Sequence, residues 1–264
     1  MSDEKFAWDS DGSYEQYVGR WSRLVAREFL SWLAVVPDSR WLDVGCGTGE
    51  LARAILENQS PGAVCGIDPS EGFVSFARDH VRGEHVAFEV GDAMKLPYDH
   101  DDFDAAVSGL VLNFVPDATR AVGEMARVTR VGGVVGAYVW DYAGEMQLMR
   151  HFWDAAVALD PAALDLDEGR RFPICRPDPL SEMFRGAGPR DVEVKAIDVP
   201  TMFRDFDDYW TPFLGGQAPA PGYCMSLSEE KRSALRERIK ARLPFQADGS
   251  IPLIARAWAV KGTT

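Results

Sequence analysis

The sequence predicts an α/β protein built on a parallel, doubly wound sheet, and three observations carry that prediction. Short apolar segments alternate with helix-like segments between residues 41 and 140. A glycine-rich turn joins the first of these apolar segments to the helix that follows it. Acidic residues stand at the ends of the first strands. Alternating strands and helices are typical of parallel sheets whose helices cover both faces.

The individual elements follow from hydrophobic periodicity and from capping residues. Apolar residues at helical spacing predict a first helix over 14–36, after a polar tail over 1–13 that we expect to be mobile. Short apolar runs predict five strands, at 41–44, 63–67, 86–90, 103–108 and 134–140. Further helices are predicted at 50–57, 70–77 and 118–128, and a turn at 131–133. Ser70 is well placed to cap the second of these helices.

The pattern changes after residue 141, where strands and helices no longer alternate. Two further β-like runs, 192–199 and 251–260, are predicted to complete the sheet. The segments 142–189 and 200–245 are expected to be mainly helical or irregular inserts that cover one end of it. We therefore expect a single domain over 14–264. Its core is predicted at 38–141, 190–199 and 251–260.

The second insert contains an aromatic cluster. Its members are partly at helical spacing: Phe203, Phe206, Tyr209, Trp210 and Phe213. The cluster is expected either to pack on the sheet or to form an apolar wall for a flat or hydrophobic small molecule.

Composition and charge exclude several classes of protein. The 264 residues include 28 basic and 41 acidic side chains, which gives a net charge of −13 and argues against a nucleic-acid partner. The polar N-terminus and the absence of long apolar runs argue against a signal peptide and a membrane span. The four cysteines are scattered, so neither a metal site nor a disulfide framework is expected. We expect a cytoplasmic protein with a small-molecule substrate, and a homodimer stays among the expectations.

The glycine-rich turn, Leu42-Asp43-Val44-Gly45-Cys46-Gly47-Thr48-Gly49, predicts a ligand site. In open parallel sheets, ligands bind beyond the carboxyl ends of the strands, near the point where strand order reverses. Gly45 and Gly47 would let a ligand approach the main chain closely, and amides at the start of the next helix can bind an anion. Nicotinamide-binding proteins carry their third glycine one position later, where this chain has Glu50.

Acidic residues narrow the expected ligand to S-adenosylmethionine (SAM). Asp68 ends the second strand, where a carboxylate can accept hydrogen bonds from both hydroxyls of a ribose. Asp92 follows the third strand and can accept from an adenine amino group. Pro69 and Met94 would pack on the faces of that ring. Asp43 would either orient the loop amides or attract the ammonium group of the methionine moiety.

Several motifs together resemble the class I SAM-dependent methyltransferases, in particular the group similar to quinone-biosynthesis C-methyltransferases. Besides the glycine loop, the resemblance rests on Gly66-Ile67-Asp68, Gly91-Asp92-Ala93-Met94-Lys95-Leu96-Pro97-Tyr98, Phe103-Asp104 with Leu110-Val111-Leu112-Asn113-Phe114, and Arg127-Val128-Thr129-Arg130-Val131-Gly132-Gly133. It covers residues 14–141 well and the remainder loosely. The resemblance implies a Rossmann-like sheet of seven strands whose last strand is antiparallel.

The same resemblance implies roles for single residues. Gly45, Cys46 and Gly47 would contact the methionine part of the cofactor, and Asp68 the ribose. Asp92 and Ala93 would meet the adenine, and Leu110 would line the floor of the cofactor site. An N-terminal helix often closes over the cofactor in such proteins, and Tyr17 and Trp21 are the candidates in this chain. Core packing explains these two aromatic residues equally well.

The sequence says less about catalysis. We expect in-line transfer of a methyl group to O, N or C of a small molecule, with S-adenosylhomocysteine (SAH) as the product. His151 and Asp141 are the candidate catalytic residues, because a general base helps when the acceptor must lose a proton. Each also has a structural alternative. His151 would be a histidine whose hydrogen bonds serve the fold, and Asp141 would cap the next helix.

Alternative functions remain at this point. Amino-group methylases of nucleic acids carry an Asp/Asn-Pro-Pro-aromatic element after the fourth strand, whereas this chain has Ser108-Gly109-Leu110-Val111 there. A SAM-binding regulatory or partner protein without turnover stays open. A nicotinamide-dependent oxidoreductase is the third hypothesis.

Overall fold

The computed structural model describes residues 19–215 and 218–264, apart from the side chain of Arg20. The tail predicted over 1–13 and the candidate Tyr17 lie outside these residues. The chain divides into two compact units. The sheet unit comprises 23–140, 174–197 and 257–264; the helical unit comprises 141–173, 198–256 and the described part of 1–22. The single domain over 14–264 stays a prediction.

Seven strands form one sheet in the order β3-β2-β1-β4-β5-β7-β6. They are β1 (Arg40–Val44), β2 (Ala63–Asp68), β3 (Val86–Val90), β4 (Phe103–Gly109), β5 (Thr129–Trp140), β6 (Arg190–Phe203) and β7 (Ile251–Thr263). The pairs β1–β2, β1–β4, β2–β3 and β4–β5 are parallel, and β7 runs antiparallel to β5. This topology confirms the predicted doubly wound, mostly parallel sheet with an antiparallel last strand.

Helices connect the strands and make up most of the helical unit. They are α1 (Arg20–Leu33), α2 (Glu50–Asn58), α3 (Glu71–His80), α4 (Ala118–Val128), α5 (Gln147–Leu159), α6 (Glu168–Arg171), α7 (Pro177–Ala187), α8 (Phe206–Trp210), α9 (Pro219–Ser226) and α10 (Glu229–Lys240). The Ser70 hydroxyl accepts from the backbone N–H of Phe73 at 3.4 Å, so the predicted cap is confirmed. Over the described ranges, no helix has the length and apolar character that crossing a bilayer requires.

The core of the sheet unit lies on the central strands and their covering helices. Trp41, Leu42 and Val44 of β1 are fully buried, as expected for a strand with helices on both sides of its sheet. On α1, the ring of Phe29 lies 4.9 Å from that of Tyr138 on β5. Burial of apolar side chains on these strands therefore fixes the central sheet, and with it the loops that leave its carboxyl edge.

One prediction in this region is wrong. The turn expected at 131–133 lies inside β5, which begins at Thr129. Its pairing with β4 jumps from Phe103↔Thr129 to Ala105↔Val134, so the extra residues form an irregularity within the strand. Gly132 has a φ of +76°, which a bulge tolerates and a regular strand does not. Glycine is common both in turns and in such bulges, so the sequence Val131-Gly132-Gly133 does not distinguish between them.

The helical unit is held together by aromatic side chains. Phe152 of α5 stacks on Phe213 with 4.5 Å between ring centroids, and the Tyr209 hydroxyl donates to the carbonyl of Leu148 at 2.8 Å. Phe203, Tyr209 and Phe213 are fully buried. These contacts favour a packing role for the aromatic cluster over an open apolar wall.

Candidate functional site

The strand order reverses between β1 and β4. From β1 the chain moves outward to β2 and β3, and then returns to the other side of β1 at β4. The hydroxyl of Ser108 on β4 donates to the carbonyl of Val44 on β1 at 2.8 Å, which ties the two strands together where they end. The loops that leave their carboxyl ends therefore flank the position where ligands bind in doubly wound sheets.

The glycine loop leaves β1 in a conformation set by its main chain. The N–H groups of Gly45 and Cys46 both donate to the carbonyl of Ile67, at 2.7 and 3.0 Å. Gly45 has a φ of +74°, and a Cβ atom there would lie 2.8 Å from Cγ2 of Val111 and closer still to its Cγ1. The loop after β1 therefore packs on the segment after β4, and only glycine fits at this contact.

Helix α2 begins directly after the loop with an N-cap that offers no side chain. That residue is Gly49, at a φ of +88°, and no side chain hydrogen-bonds to the cap position. The first backbone N–H groups of a helix lack partners within the helix and favour an anion. The start of α2 can therefore receive a carboxylate.

Asp68 joins the end of β2 to the glycine loop. Its Oδ2 accepts from the N–H of Gly47 at 3.0 Å and its Oδ1 from the N–H of Ser70 at 2.9 Å. Burial raises the pKa of this carboxyl, while the two backbone hydrogen bonds oppose the rise. A carboxylate oxygen has more than one acceptor site, so Asp68 can still receive donors from a ligand.

Asp43 is a buried carboxyl on β1, an inner strand of the sheet. It is 1 % exposed, and neither carboxyl oxygen has a hydrogen-bond partner among the described residues. Burial raises its pKa to about 7; the backbone amide of Ala52, outside hydrogen-bonding geometry, opposes the rise, and the charge of Asp68 adds to it. Of the two predicted alternatives, orientation of the loop amides has no hydrogen bond to support it. A buried carboxyl without a partner instead suits a cationic group of a ligand.

The thiol of Cys46 is a poor nucleophile. It is 6 % exposed, and burial raises its pKa, with the negative charges of Asp43 and Asp68 adding to the effect. A thiol with a raised pKa stays protonated at neutral pH. Cys46 can therefore contact a ligand, but the structure does not favour covalent chemistry there.

A tight turn after β3 carries the third acidic residue. Oδ1 of Asp92 accepts from the N–H of Met94 at 2.8 Å, and its carbonyl accepts from the N–H of Lys95 at 3.0 Å. Asp92 is exposed, Ala93 is buried and Met94 is half-buried. Pro69, after β2, is exposed. The turn leaves Oδ2 of Asp92 without a hydrogen bond in the described structure.

Leu110 occupies an unusual backbone conformation after β4. Its φ is +63°, and its N–H donates to the carbonyl of Tyr138 at 2.8 Å. Residues other than glycine adopt such a conformation at a cost of roughly 1–3 kcal/mol. Leu110 therefore holds a strained position directly after β4, at the carboxyl edge of the sheet, and its contact with the cofactor stays a prediction.

The remaining predicted residues lie in the helical unit. The ring of Trp21 packs edge-on against Phe203 at 5.7 Å, and its predicted contact with the cofactor stays a prediction. Oδ2 of Asp141 accepts from the N–H of Glu145 at 2.9 Å, so this carboxyl caps the turn before α5. His151 lies on α5, where burial is the main cause that lowers its pKa. Catalytic roles for Asp141 and His151 stay predictions.

Sequence reasoning did not single out one buried acidic group in the helical unit. Glu168 is 2 % exposed, accepts from the indole N–H of Trp153, and has a pKa raised to about 7, chiefly by burial. It stands in the run 165–171, which holds three acidic and two basic residues, a mixed charge typical of a solvated surface. No local signal in the sequence identifies it.

The residues of the sheet unit fit SAM in both order and charge. Asp43 with the glycine loop, Asp68 and Asp92 stand at the carboxyl ends of three neighbouring strands, β1, β2 and β3. Neighbouring strands lie about 4.8 Å apart, so these groups spread over about 10 Å. SAM presents a charged amino acid, a ribose and an adenine in the same succession. The buried carboxyl of Asp43 has no hydrogen-bond partner among the described residues, and its contact with the ammonium group stays a prediction.

Comparison with known proteins identifies the family. Residues 42–136 match the model of a family described as a methyltransferase domain. The demethylmenaquinone methyltransferase of Roseiflexus castenholzii is 32 % identical over 180 residues, which are 62 % of this chain and 74 % of that protein. The demethylmenaquinone methyltransferase of Geobacillus stearothermophilus is 33 % identical over 192 residues, 67 % of this chain and 80 % of that protein.

A solved structure supports the same fold. The phosphoethanolamine N-methyltransferase 2 of Haemonchus contortus, in complex with phosphomonomethylethanolamine and SAH, superposes with a TM-score of 0.60. It is 17 % identical, and the match covers 96 % of this chain and 56 % of that one. The chain belongs to the class I SAM-dependent methyltransferases of the quinone-methyltransferase type.

Proposed function

We propose that the sheet unit binds SAM across the carboxyl ends of β1, β2 and β3, and that the enzyme methylates a small molecule. The observation that carries this proposal is the succession of the glycine loop with Asp43, then Asp68, then Asp92, along neighbouring strands. A nicotinamide cofactor does not call for a buried, partnerless carboxyl such as Asp43. The alternative without turnover gains no support from the relatives, which are named as methyltransferases.

The methionine end of the cofactor is assigned to β1 and its loop. Gly45, Cys46 and Gly47 would contact it through their main chain, and the first amides of α2 would receive its carboxylate. Asp43 would hold the ammonium group in a charge-assisted interaction. Leu110 would line the floor of the site from the end of β4.

The adenosine end is assigned to β2 and β3. Asp68 would accept from the ribose hydroxyls while its hydrogen bonds to Gly47 and Ser70 keep it in place. Asp92 would accept from the adenine amino group beside Ala93, through the oxygen that the turn leaves free. Pro69 and Met94 would pack on the ring.

Bound SAM supplies a methyl group already activated as a sulfonium. The protein therefore has to orient donor and acceptor for in-line attack and to exclude water, and such positioning can supply most of the rate. Where the acceptor must lose a proton, we propose His151 as the base, because its lowered pKa keeps the imidazole neutral at pH 7. For Asp141, the hydrogen bond to Glu145 supports a positioning role in its turn.

The acceptor is proposed to be a small ring compound of the quinone type. Two relatives are named as demethylmenaquinone methyltransferases. The net charge of −13 supports a partner other than nucleic acid. We also propose that the protein is located in the cytoplasm, acts without a membrane and assembles as a homodimer.

Transfer of labelled methyl from SAM tests the proposal. The enzyme would be supplied with a panel of demethylated quinones and other hydroxylated, amino or acidic-carbon compounds, and in parallel with RNA and protein. We expect labelling of a small molecule, and its loss in Asp68→Ala. Labelling of RNA or protein alone would contradict the small-molecule assignment. Binding of NAD in place of SAM and SAH, measured by calorimetry, would contradict the cofactor site.

A further inference from the structure

Helix α4 presents an ion pair to the segment that carries Asp92. Glu124 and Arg127 are three positions apart, so they lie on the same face of the helix. Nε of Arg127 donates to Oε1 of Glu124 at 2.7 Å, and its Nη2 donates to Oε2 at 2.8 Å. The side chain of Arg127 is 24 % exposed and that of Glu124 is 20 % exposed, so solvent screens this bidentate pair less than an ordinary surface pair.

Both residues of the pair hydrogen-bond to the main chain of Leu96. Oε2 of Glu124 accepts from the N–H of Leu96 at 2.9 Å, and Nη2 of Arg127 donates to its carbonyl at 3.0 Å. Nη1 of Arg127 also donates to the carbonyl of Tyr98 at 2.8 Å. These three bonds connect α4 to the loop after β3, and no other side chain satisfies the main chain of Leu96 in the described structure.

A hydrogen-bonded turn joins Asp92 to Leu96. The N–H of Lys95 bonds to the carbonyl of Asp92, and the N–H of Met94 bonds to its Oδ1. Leu96 follows this turn directly and is 4 % exposed. Because these bonds close the turn, we expect a shift of Leu96 to move the turn as a unit, and with it the free Oδ2 of Asp92.

We propose that the Glu124–Arg127 pair is a positioning device for the adenine-recognising turn Asp92–Met94, and that it sets the selectivity for an adenine over a hypoxanthine. This inference rests on the proposed function, in which Asp92 accepts from the adenine amino group. Hypoxanthine carries a carbonyl at that position, which would face Asp92 with an acceptor instead of a donor. Neither residue of the pair touches the cofactor in this account, so neither is a catalytic residue.

An ion pair that merely stabilises the fold would behave differently. Its removal would lower the free energy of unfolding and weaken both ligands by the same factor. A positioning pair, in contrast, changes the ratio between the two affinities. The ratio is therefore the readout that separates the two roles.

Calorimetry with SAH and S-inosylhomocysteine, its hypoxanthine analogue, measures this ratio. We expect the wild type to prefer SAH by about tenfold or more, because a hydrogen bond to a charged acceptor is at stake. Arg127→Met should reduce that preference to within about threefold, since Asp92 would no longer be held in register. Arg127→Lys and Glu124→Gln keep part of the hydrogen bonding to Leu96 and should give intermediate ratios. Arg27→Met, the same change at an exposed position of α1, should leave the ratio unchanged.

Asp92→Ala separates failure of this inference from failure of the adenine site. If Asp92→Ala leaves the preference intact, the adenine site is misassigned and the inference falls with it. If Asp92→Ala abolishes the preference while Arg127→Met preserves it, the site stands and the positioning role is wrong. If Arg127→Met fails to fold, Arg127→Lys and Glu124→Gln decide: wild-type ratios in both would overturn the proposal.

Discussion

In the sheet unit the candidate site is built from main-chain atoms and from acidic residues in or just after the last residues of three strands, whereas in the helical unit a buried acidic group is paired with a different helix. Asp68 reaches its two donors within the loops that flank β1 and β2. Glu168, in contrast, is paired with Trp153 of another helix, in surroundings that only the folded unit creates. Both units nevertheless contain a carboxyl group with a pKa raised to about 7 by burial.

Two carboxyl groups whose pKa values burial raises to a similar extent can therefore have different roles. Asp43 has no hydrogen-bond partner among the described residues, and in the proposed site its buried carboxyl receives the ammonium group of the cofactor. Glu168 already has a donor, so its carboxyl belongs to the packing of the helical unit. Substitution of Asp43 should therefore alter cofactor binding, whereas substitution of Glu168 should alter stability alone.

The largest effect is expected from Gly45→Ala. The new Cβ would meet the side chain of Val111, at a φ of +74°. Such a backbone conformation costs roughly 1–3 kcal/mol, and the collision adds roughly 1–3 kcal/mol. We expect loss of SAH binding by calorimetry, together with a lowered melting temperature.

Two further variants sharpen this result. Val111→Ala in the Gly45→Ala background removes the colliding Cγ atoms and should recover part of the loss. Gly186→Ala on α7 meets no atom within 4 Å, and it should leave binding unchanged while stabilising the helix by up to about 1 kcal/mol. Wild-type binding in Gly45→Ala would show that the loop does not approach the cofactor.

The second effect concerns turnover in the helical unit. If His151 is the base, His151→Gln should lower kcat by about 100-fold or more while SAH affinity stays unchanged. Wild-type activity should fall as the pH drops through the pKa of His151, which burial holds below its usual value of 6.5. His100→Gln, at an exposed loop position, is the control. Full activity in His151→Gln would exclude the catalytic role.

The third effect joins stability to binding at Asp43. Its folded-state pKa of about 7 lies above the ordinary value of 3.8, so its stabilising contribution is complete at acidic pH and is lost as the pH rises through 7. Asp43→Asn should therefore be more stable than the wild type at pH 8, on the order of 1–3 kcal/mol in the free energy of unfolding. The same variant should bind SAH more weakly, because the ammonium group loses its counter-charge.

Urea unfolding at pH 5 and pH 8 measures the stability part, with exposed Asp79→Asn as the control. In the wild type, binding near pH 7 should also release a proton from Asp43, which calorimetry in buffers of different ionisation enthalpy detects. Equal SAH affinity in wild type and Asp43→Asn would remove Asp43 from the cofactor site.

The smallest effect is expected at Glu168. Gln at this position keeps an oxygen that can accept from Trp153 and removes the charge that burial disfavours. Because the folded-state pKa of about 7 exceeds the ordinary 4.5, the wild type should lose stability relative to Glu168→Gln as the pH rises from 5 to 8. The difference should be on the order of 1 kcal/mol, and cofactor affinity should not change. A loss of affinity equal to that of Asp43→Asn would break the division between the units.

The cofactor side of the molecule was largely predictable from the sequence. Strand runs, the Ser70 cap and the glycine loop are local signals, and the structure places Asp43, Asp68 and Asp92 at three successive strands. The turn expected at 131–133 was wrong because glycine serves a bulge as well as a turn. Glu124 and Arg127 form a charged pair at helical spacing, which the sequence shows. Their hydrogen bonds to Leu96 could not be predicted in the same way, because Glu124 lies 28 residues from Leu96.

The helical unit was not predictable in the same way. Its helices follow no alternation with strands, and the partners of Phe152 and Tyr209 are distant in sequence. Burial of Glu168 depends on how several short helices pack, which no periodicity encodes. Tertiary packing decides these positions, and charge patterning alone predicts the opposite.

Calorimetric titration of SAH into the wild type and Asp68→Ala tests the central claim most directly. Asp68 is 8 % exposed and ties β2 to the glycine loop, so its loss should weaken SAH binding by on the order of 1.5–3 kcal/mol. Asp79→Ala, an exposed aspartate of α3, should bind like the wild type. Equal affinities in wild type and Asp68→Ala, with both proteins folded, would contradict a cofactor that lies across the ends of β1, β2 and β3.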